Sequence, residues 1–160
     1  METSDPFEDP GGPILPDRSP RARAQAEGIW AAGDRVVWLS ALILSLSTFM
    51  GWYAGSAVGV KLAVIGWHTG VLGKLVFFIG LAVLAIVALR RSGIELPPSV
   101  PESLVILALG ALATVFVLVR VISIPDSMLP ADGRGIGIWI SLLAAFGVVA
   151  GGLLRASEEL

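Results

Sequence analysis

An all-α integral membrane fold, a four-helix antiparallel bundle with a small extracytoplasmic loop cap, is what this sequence predicts, on three observations. The 160 residues are 55% hydrophobic and 15% charged, with a mean hydropathy of +0.83, outside the range of soluble globular chains. Four apolar runs are separated by connections that carry most of the prolines and charges. The last run, Gly135 to Leu154, is twenty residues without a charge between Arg134 and Arg155. As a helix rising 1.5 Å per residue it is about 30 Å long, the thickness of a bilayer's hydrocarbon core. The third observation is the distribution of side-chain size. At about 100° per residue, Gly137, Ser141, Ala144, Ala145, Gly147, Gly151 and Gly152 fall on one half of the helix. Trp139, Leu142, Leu143, Phe146, Val149, Leu153 and Leu154 fall on the other. In lipid, small residues let neighbouring backbones approach, so the small face needs partner helices and the bulky face suits acyl chains.

Residues 1–28 differ from the rest and are expected to form a disordered tail ahead of a membrane domain over 29–157. Pro6, Pro10, Pro13, Pro16 and Pro20 forbid regular structure, and the scarce apolar side chains cannot offset ordering entropy. Arg21 to Asp34 has the character of a short helix on the membrane surface. Trp30 and Trp38 are expected as interfacial anchors.

The first span is expected at about 36–54. Ser40, Ser47, Thr48, Gly51 and Gly55 share one side of a helix, with Ser45 off that side; this face is expected to turn inward, where hydroxyls can bond to their own or a neighbouring helix. Gly51, Gly55 and Gly59 repeat at four-residue spacing, which suits either a packing seam or a loop. Ala54-Gly55-Ser56-Ala57 offers small residues of the kind found at signal-peptide cleavage sites. The leader of about 35 residues before the run is too long for a charged n-region, so the run is expected to persist as a span. Val58 to Trp67, rich in β-branched residues and flanked by glycine, predicts a short strand or hairpin over the outer mouth. Trp52, Tyr53 and Trp67 are expected in an interfacial belt. His68, the only histidine, has no Cys, Asp or Glu near it in sequence with which to hold a metal.

The remaining spans are expected at about 71–90, 102–123 and 135–154. The second borrows length through Lys74, whose stem can lie in lipid while its ammonium reaches the headgroups. Pro97, Pro98 and Pro101 then interrupt the chain, and Pro101-Glu102 suits a first helical turn because the acid meets the positive end of the helix dipole. In the third, Ser103, Gly110, Ala113 and Thr114 share a face. Arg120 lies about one turn from its exit, either snorkelling to the interface or contacting a lipid headgroup or other anion. Ile124 to Gly133, with Pro125, Asp126, Pro130 and Asp132, is expected as a loop.

Orientation follows from the basic residues. Cytoplasmic termini place seven of them inside (Arg18, Arg21, Arg23, Arg35, Arg90, Arg91, Arg155) and four outside (Lys61, Lys74, Arg120, Arg134), as the positive-inside rule favours. The protein is therefore expected to be a multipass plasma (inner) membrane protein with both termini in the cytoplasm. The absence of cysteine excludes disulfide scaffolds, thiolate metal sites and a cysteine nucleophile. No Asp, Glu, His or proline falls inside a predicted span, where transporters and proton pumps usually carry one. No Ser-His-Asp set, HExxH, P-loop or GxSxG is present. No enzymatic activity and no cofactor are expected, and a net charge of −2 gives no case for nucleic acid.

Gly51-Trp52-Tyr53, Gly66-Trp67, Arg90-Arg91, and Gly135-Ile136-Gly137-Ile138-Trp139 running on to Gly151-Gly152 form a pattern that resembles a group of small bacterial four-span membrane proteins to which no reaction is assigned. The resemblance covers about residues 34–157 and implies the fold and a multipass location. The function expected is a structural, interaction or accessory role, with membrane lipids and another copy or another membrane protein as partners. Its packing residues are expected to be Gly137, Ser141, Ala144, Gly147, Gly151, Ser47, Gly51, Gly110 and Thr114. The alternative is an oligomeric channel or small-molecule transporter that uses the hydroxyl and glycine faces as a path. Filled faces favour the first reading and a continuous polar lumen the second.

Overall fold

The computed structural model describes residues 20–57, 59–93, 101–123 and 131–159. Helix α1 (Pro20–Ser47) leads into a hairpin of strands β1 (Gly51–Ala57) and β2 (Val60–Ile65), then a 3-10 turn at Gly66–His68. Helices α2 (Val71–Arg91) and α3 (Glu102–Ile122) follow, then strand β3 (Ala131–Arg134) and helix α4 (Ile136–Glu159). Three of the helices, α2, α3 and residues 136–157 of α4, are long and apolar enough to cross a membrane.

Each helix end has a local cause. The carbonyls that close α1 are taken up by tight i→i−3 bonds, Thr48 N–H to Ser45 O, Phe49 N–H to Leu46 O and Met50 N–H to Ser47 O. Two hydroxyls bond back onto the same turn, Ser47 Oγ to Leu44 O and Thr48 Oγ1 to Ser45 O, each at 2.7 Å. Hydroxyl side chains that compete for backbone carbonyls weaken a helix where they cluster. Helix α2 stops at Ser92 and Gly93; Gly93, with φ +77°, donates its N–H to Arg90 O, and Arg90 and Arg91 face the negative end of the dipole. Pro101 precedes α3, and Glu102 occupies its first turn.

The helices form a closed ring of contacts: α1 packs on α2 and α4, and α3 packs on α2 and α4. Asp34 near the start of α1, Arg90 at the end of α2, Glu102 at the start of α3 and Arg155 at the end of α4 meet at one end. Successive helices therefore run in opposite directions. Helix α4 is the most enclosed: 44% of its apolar window is buried against 33% in α2 and 22% in α3, which makes it the element the others pack around.

The opposite end is closed by an antiparallel sheet of order β2-β1-β3. Gly51 pairs with Ile65 and Ala57 with Val60 across the hairpin, while Tyr53 pairs with Arg134 and Ala54 with Gly133 on the other side. Gly59, with φ +79°, lies in the turn between β1 and β2, a conformation that glycine adopts without strain.

Several expectations are corrected. The fold is mostly helical but not all-α. The hairpin is present, yet its first strand is drawn from residues 51–57, within the run expected to complete the first span at 36–54. Helix α1 ends at Ser47, and among the described residues it is not one of the helices that meet the length and hydropathy needed to span. Residues 131–134, expected as loop, supply β3. The expected tail boundary at 28 falls inside α1, which already starts at Pro20; residues 1–19 lie outside the described residues. Helix α4 continues to Glu159, past the expected 154.

Candidate functional site

The polar and small side chains collect in three places: a seam along α4, a charged cluster at one end and a hydrogen-bonded cap at the other.

The seam is built from close approach. A Cβ added to Gly137 would lie 2.8 Å from Gly51 O and from Met50 Cβ. One added to Gly151 would lie 2.5 Å from Val37 Cγ2, and one on Gly152 3.2 Å from Leu107 N. Gly147 faces Ser40 Oγ, and Gly110 of α3 meets Val148 and Val149 with 3.0 Å to spare. Ala144, Ala145 and Ser141 are buried among them. Midway, Ser47 Oγ and Ser141 Oγ share a hydrogen bond of 2.7 Å, and Ser141 Oγ also reaches Gly137 O at 2.9 Å. Thr114 bonds back to Gly110 O at 2.8 Å. The structure thus brings together the small faces of α1, α3 and α4, apart from Gly51, which contributes from β1.

Polar side chains inside and apolar ones outside invert the pattern of a water-soluble protein. Ser47, Thr48, Ser103, Thr114 and Ser141 are buried, while Leu143 is 72% exposed and Phe78, Leu104, Val115, Phe146 and Leu153 are about half exposed. Contiguous apolar surface on this scale is foreign to soluble monomers.

At the first end, Arg155 is 3% exposed and lies between two carboxylates, its Nε 3.0 Å from Asp34 Oδ1 and its Nη1 3.2 Å from Glu102 Oε1. Arg90 approaches the same two acids from the rim at 3.8 and 3.9 Å. These are the ion pairs found among the described residues, and they tie together all four helices. The sequence reading places these residues only as flanks and first-turn groups. The available signal was their common level: each stands at the same end of its helix once the helices alternate in direction.

At the sheet end, Trp52 and Tyr53 are buried rather than placed in an interfacial belt, at 0% and 2% exposure. The Trp52 indole donates to Ser47 O at 3.0 Å, which occupies a terminal carbonyl of α1. Tyr53 OH donates to Arg120 O at 2.7 Å, and burial raises its pKa above the ordinary 10.0 against the opposing pull of Arg120 and Arg134. Arg120, instead of standing alone as a snorkelling cation, donates from Nη2 to Thr69 O and so ties the end of α3 to the turn before α2. Gly70 there has φ +103°, and a Cβ on it would sit 2.9 Å from that Nη2, so both backbone and space call for glycine. Arg134 Nε bonds to Val121 O at 2.5 Å.

Of the remaining expected anchors, Trp38 and Trp139 are 36% and 49% exposed. Trp67 joins an aromatic cluster, stacked on Phe49 at 5.7 Å and edge-on to Phe77 at 5.4 Å, with Lys74 Nζ 5.7 Å from its ring centre. The side chain of Trp30 lies outside the described residues. His68 is exposed at the end of the 3-10 turn, and among the described residues no three His, Asp or Glu side chains are grouped to hold a metal ion.

Comparison with protein-family models, curated proteins and solved structures gives no match to this chain.

Proposed function

We propose that this chain is a multipass plasma (inner) membrane protein with a structural, interaction or accessory role, and that it performs no catalysis. Its four helices form an antiparallel bundle with both termini in the cytoplasm, so the charged cluster lies inside and the sheet outside. Helix α1 joins as the fourth span although its charge-free part, Val36 to Ser47, covers only about 18 Å. Pairing of Asp34 with Arg155 lets the α1 backbone continue below Val36 without an isolated charge in lipid. The turn and hairpin carry the chain across the remaining depth.

The observation that carries the reading is the filled seam. At Gly137, Gly147, Gly151 and Gly152 the space a methyl group would need already holds atoms of α1, α3 or the turn after α1. Helix association in lipid depends on such close packing because lipid provides no hydrophobic drive between helices. A solute path along α4 would need that space open. The partners of such a protein are membrane lipids and another membrane protein or another copy of itself; the fold resembles in outline the small bacterial four-span proteins suggested by its glycine and tryptophan pattern.

The test uses the full chain in two settings. A photoreactive residue at Leu143, on the exposed side of α4, should give discrete protein adducts in native membranes, and proteoliposomes of the purified chain should be no more permeable to ions and small solutes than empty ones. Lipid-only adducts together with saturable solute flux would overturn the reading and establish a transporter.

A further inference from the structure

We propose that β2 is the docking edge for a second copy of this chain, which adds its own β2 antiparallel to it and makes one continuous sheet across two protomers. Strand β2 is the outer strand of the β2-β1-β3 sheet, so one of its two edges has no strand partner among the described residues. Its sequence is Val60-Lys61-Leu62-Ala63-Val64-Ile65: β-branched, free of proline and glycine, with a single charge. The first four residues are all exposed, on both faces of the strand, with Val60 at 59% and Leu62 at 38%. Natural edge strands are usually shortened, bent by a bulge or studded with charge to prevent pairing. The irregularities in this sheet fall between Gly51 and Tyr53 and between Ala54 and Gly55, in β1, which leaves the β2 edge straight.

Two environments are open to this edge, and both favour a partner. At the depth of acyl chains, unpaired N–H and C=O groups on an open sheet edge are not tolerated. At the depth of water, Val60 and Leu62 form an apolar patch beside those groups, the combination that β-strand addition covers.

The occupant follows from charge and register. In an antiparallel pair centred between Leu62 and Ala63, Val60 faces the partner's Ile65, Lys61 faces the partner's Val64 and Leu62 faces the partner's Ala63. No lysine then meets a lysine. A parallel pair in register sets Lys61 beside the partner's Lys61, and like charges side by side on paired strands are destabilising. The antiparallel arrangement is also the two-fold one, in which the same patch serves both copies. A six-residue edge is small beside the interfaces of stable soluble dimers, so pairing depends on the confinement of both copies to one membrane. In that respect the inference rests on the proposed membrane placement.

The chain contains no cysteine, so introduced ones are unique. Leu62→Cys and Ala63→Cys copies, expressed together in membranes and oxidised, should form a mixed disulfide dimer, while Lys61→Cys with itself should not. Adding Leu62→Lys to the Ala63→Cys chain should abolish its cross-link to the Leu62→Cys copy by placing a cation at the edge, with the melting temperature unchanged. Cross-linking at Lys61→Cys, persistence of the mixed dimer in the Leu62→Lys variant, cross-linking to a different protein instead, or a folded chain that forms no β2 cross-link would each overturn the proposal. An alkaline carbonate wash of the same membranes separates the two ideas: release of the chain into the supernatant defeats the membrane placement itself.

Discussion

Arg155 is the residue whose environment departs most from its place in the sequence, since a guanidinium at the polar end of an apolar helix is ordinarily solvated. Here it is 3% exposed and touches carboxylates from α1 and α3. Removing one partner of a buried ion pair typically costs about 3–5 kcal/mol because the other charge stays desolvated. Arg155→Met should lose about that much in detergent unfolding. Arg90→Met should lose under about 1 kcal/mol, because Arg90 is 42% exposed and its distances of 3.8 and 3.9 Å are long. Equal losses would show that the cluster does not hinge on Arg155. Tyr53 offers a pH test, as it is the only tyrosine. Its folded-state pKa is raised by burial, so the folded form holds its proton more tightly than the unfolded form. The associated stability is present below the ordinary pKa of about 10 and is lost as pH rises through the higher folded value. Tyrosinate absorbance should therefore rise at a higher pH in the folded chain than in the denatured one, and the reverse order would refute the assignment.

Among the elements, α4 joins sequence to packing most directly. Its small side is filled by Val37, Ser40, Met50 and Leu107, and its bulky side is exposed. Overpacking a dense interior costs about 1–3 kcal/mol. Gly151→Leu should lower the melting temperature in detergent accordingly, while Phe146→Leu, on the side 51% exposed, should be nearly neutral. Both variants stay apolar, so hydrophobicity alone would not separate them, and equal tolerance would refute the packing. The two sides of this helix were legible in sequence because a 100° period sorts small from bulky residues without knowledge of the partner. The end of α1 was not. Val36 to Val60 has no charge, and apolar β-branched residues suit a spanning helix and a strand alike. Thr48 and the turn after Ser47 resolve the ambiguity only when β3 is present to pair with β1.

For the whole molecule, the proposed orientation can be read by labelling. Ser56→Cys, on the hairpin, should react with a membrane-impermeant maleimide on intact cells, and Ser92→Cys, at the opposite end after α2, should not until the membrane is opened. The reverse pattern would invert the topology and place the sheet in the cytoplasm. By itself the sequence determined the helical character, the bounds of α2 and α3 to within a residue or two, and a strand-forming segment after the first apolar run. These features are set locally, by charge-free length, by proline and glycine at the breaks, and by the need of a backbone in lipid to satisfy its own hydrogen bonds. Only the tertiary structure decided that residues 51–57 and 131–134 share a sheet, that Trp52 and Tyr53 are buried beneath it, and that Asp34, Arg90, Glu102 and Arg155 converge. Those outcomes depend on groups tens of residues apart. No local preference encodes them, because the burial of a tryptophan or an arginine is fixed by what packs opposite it.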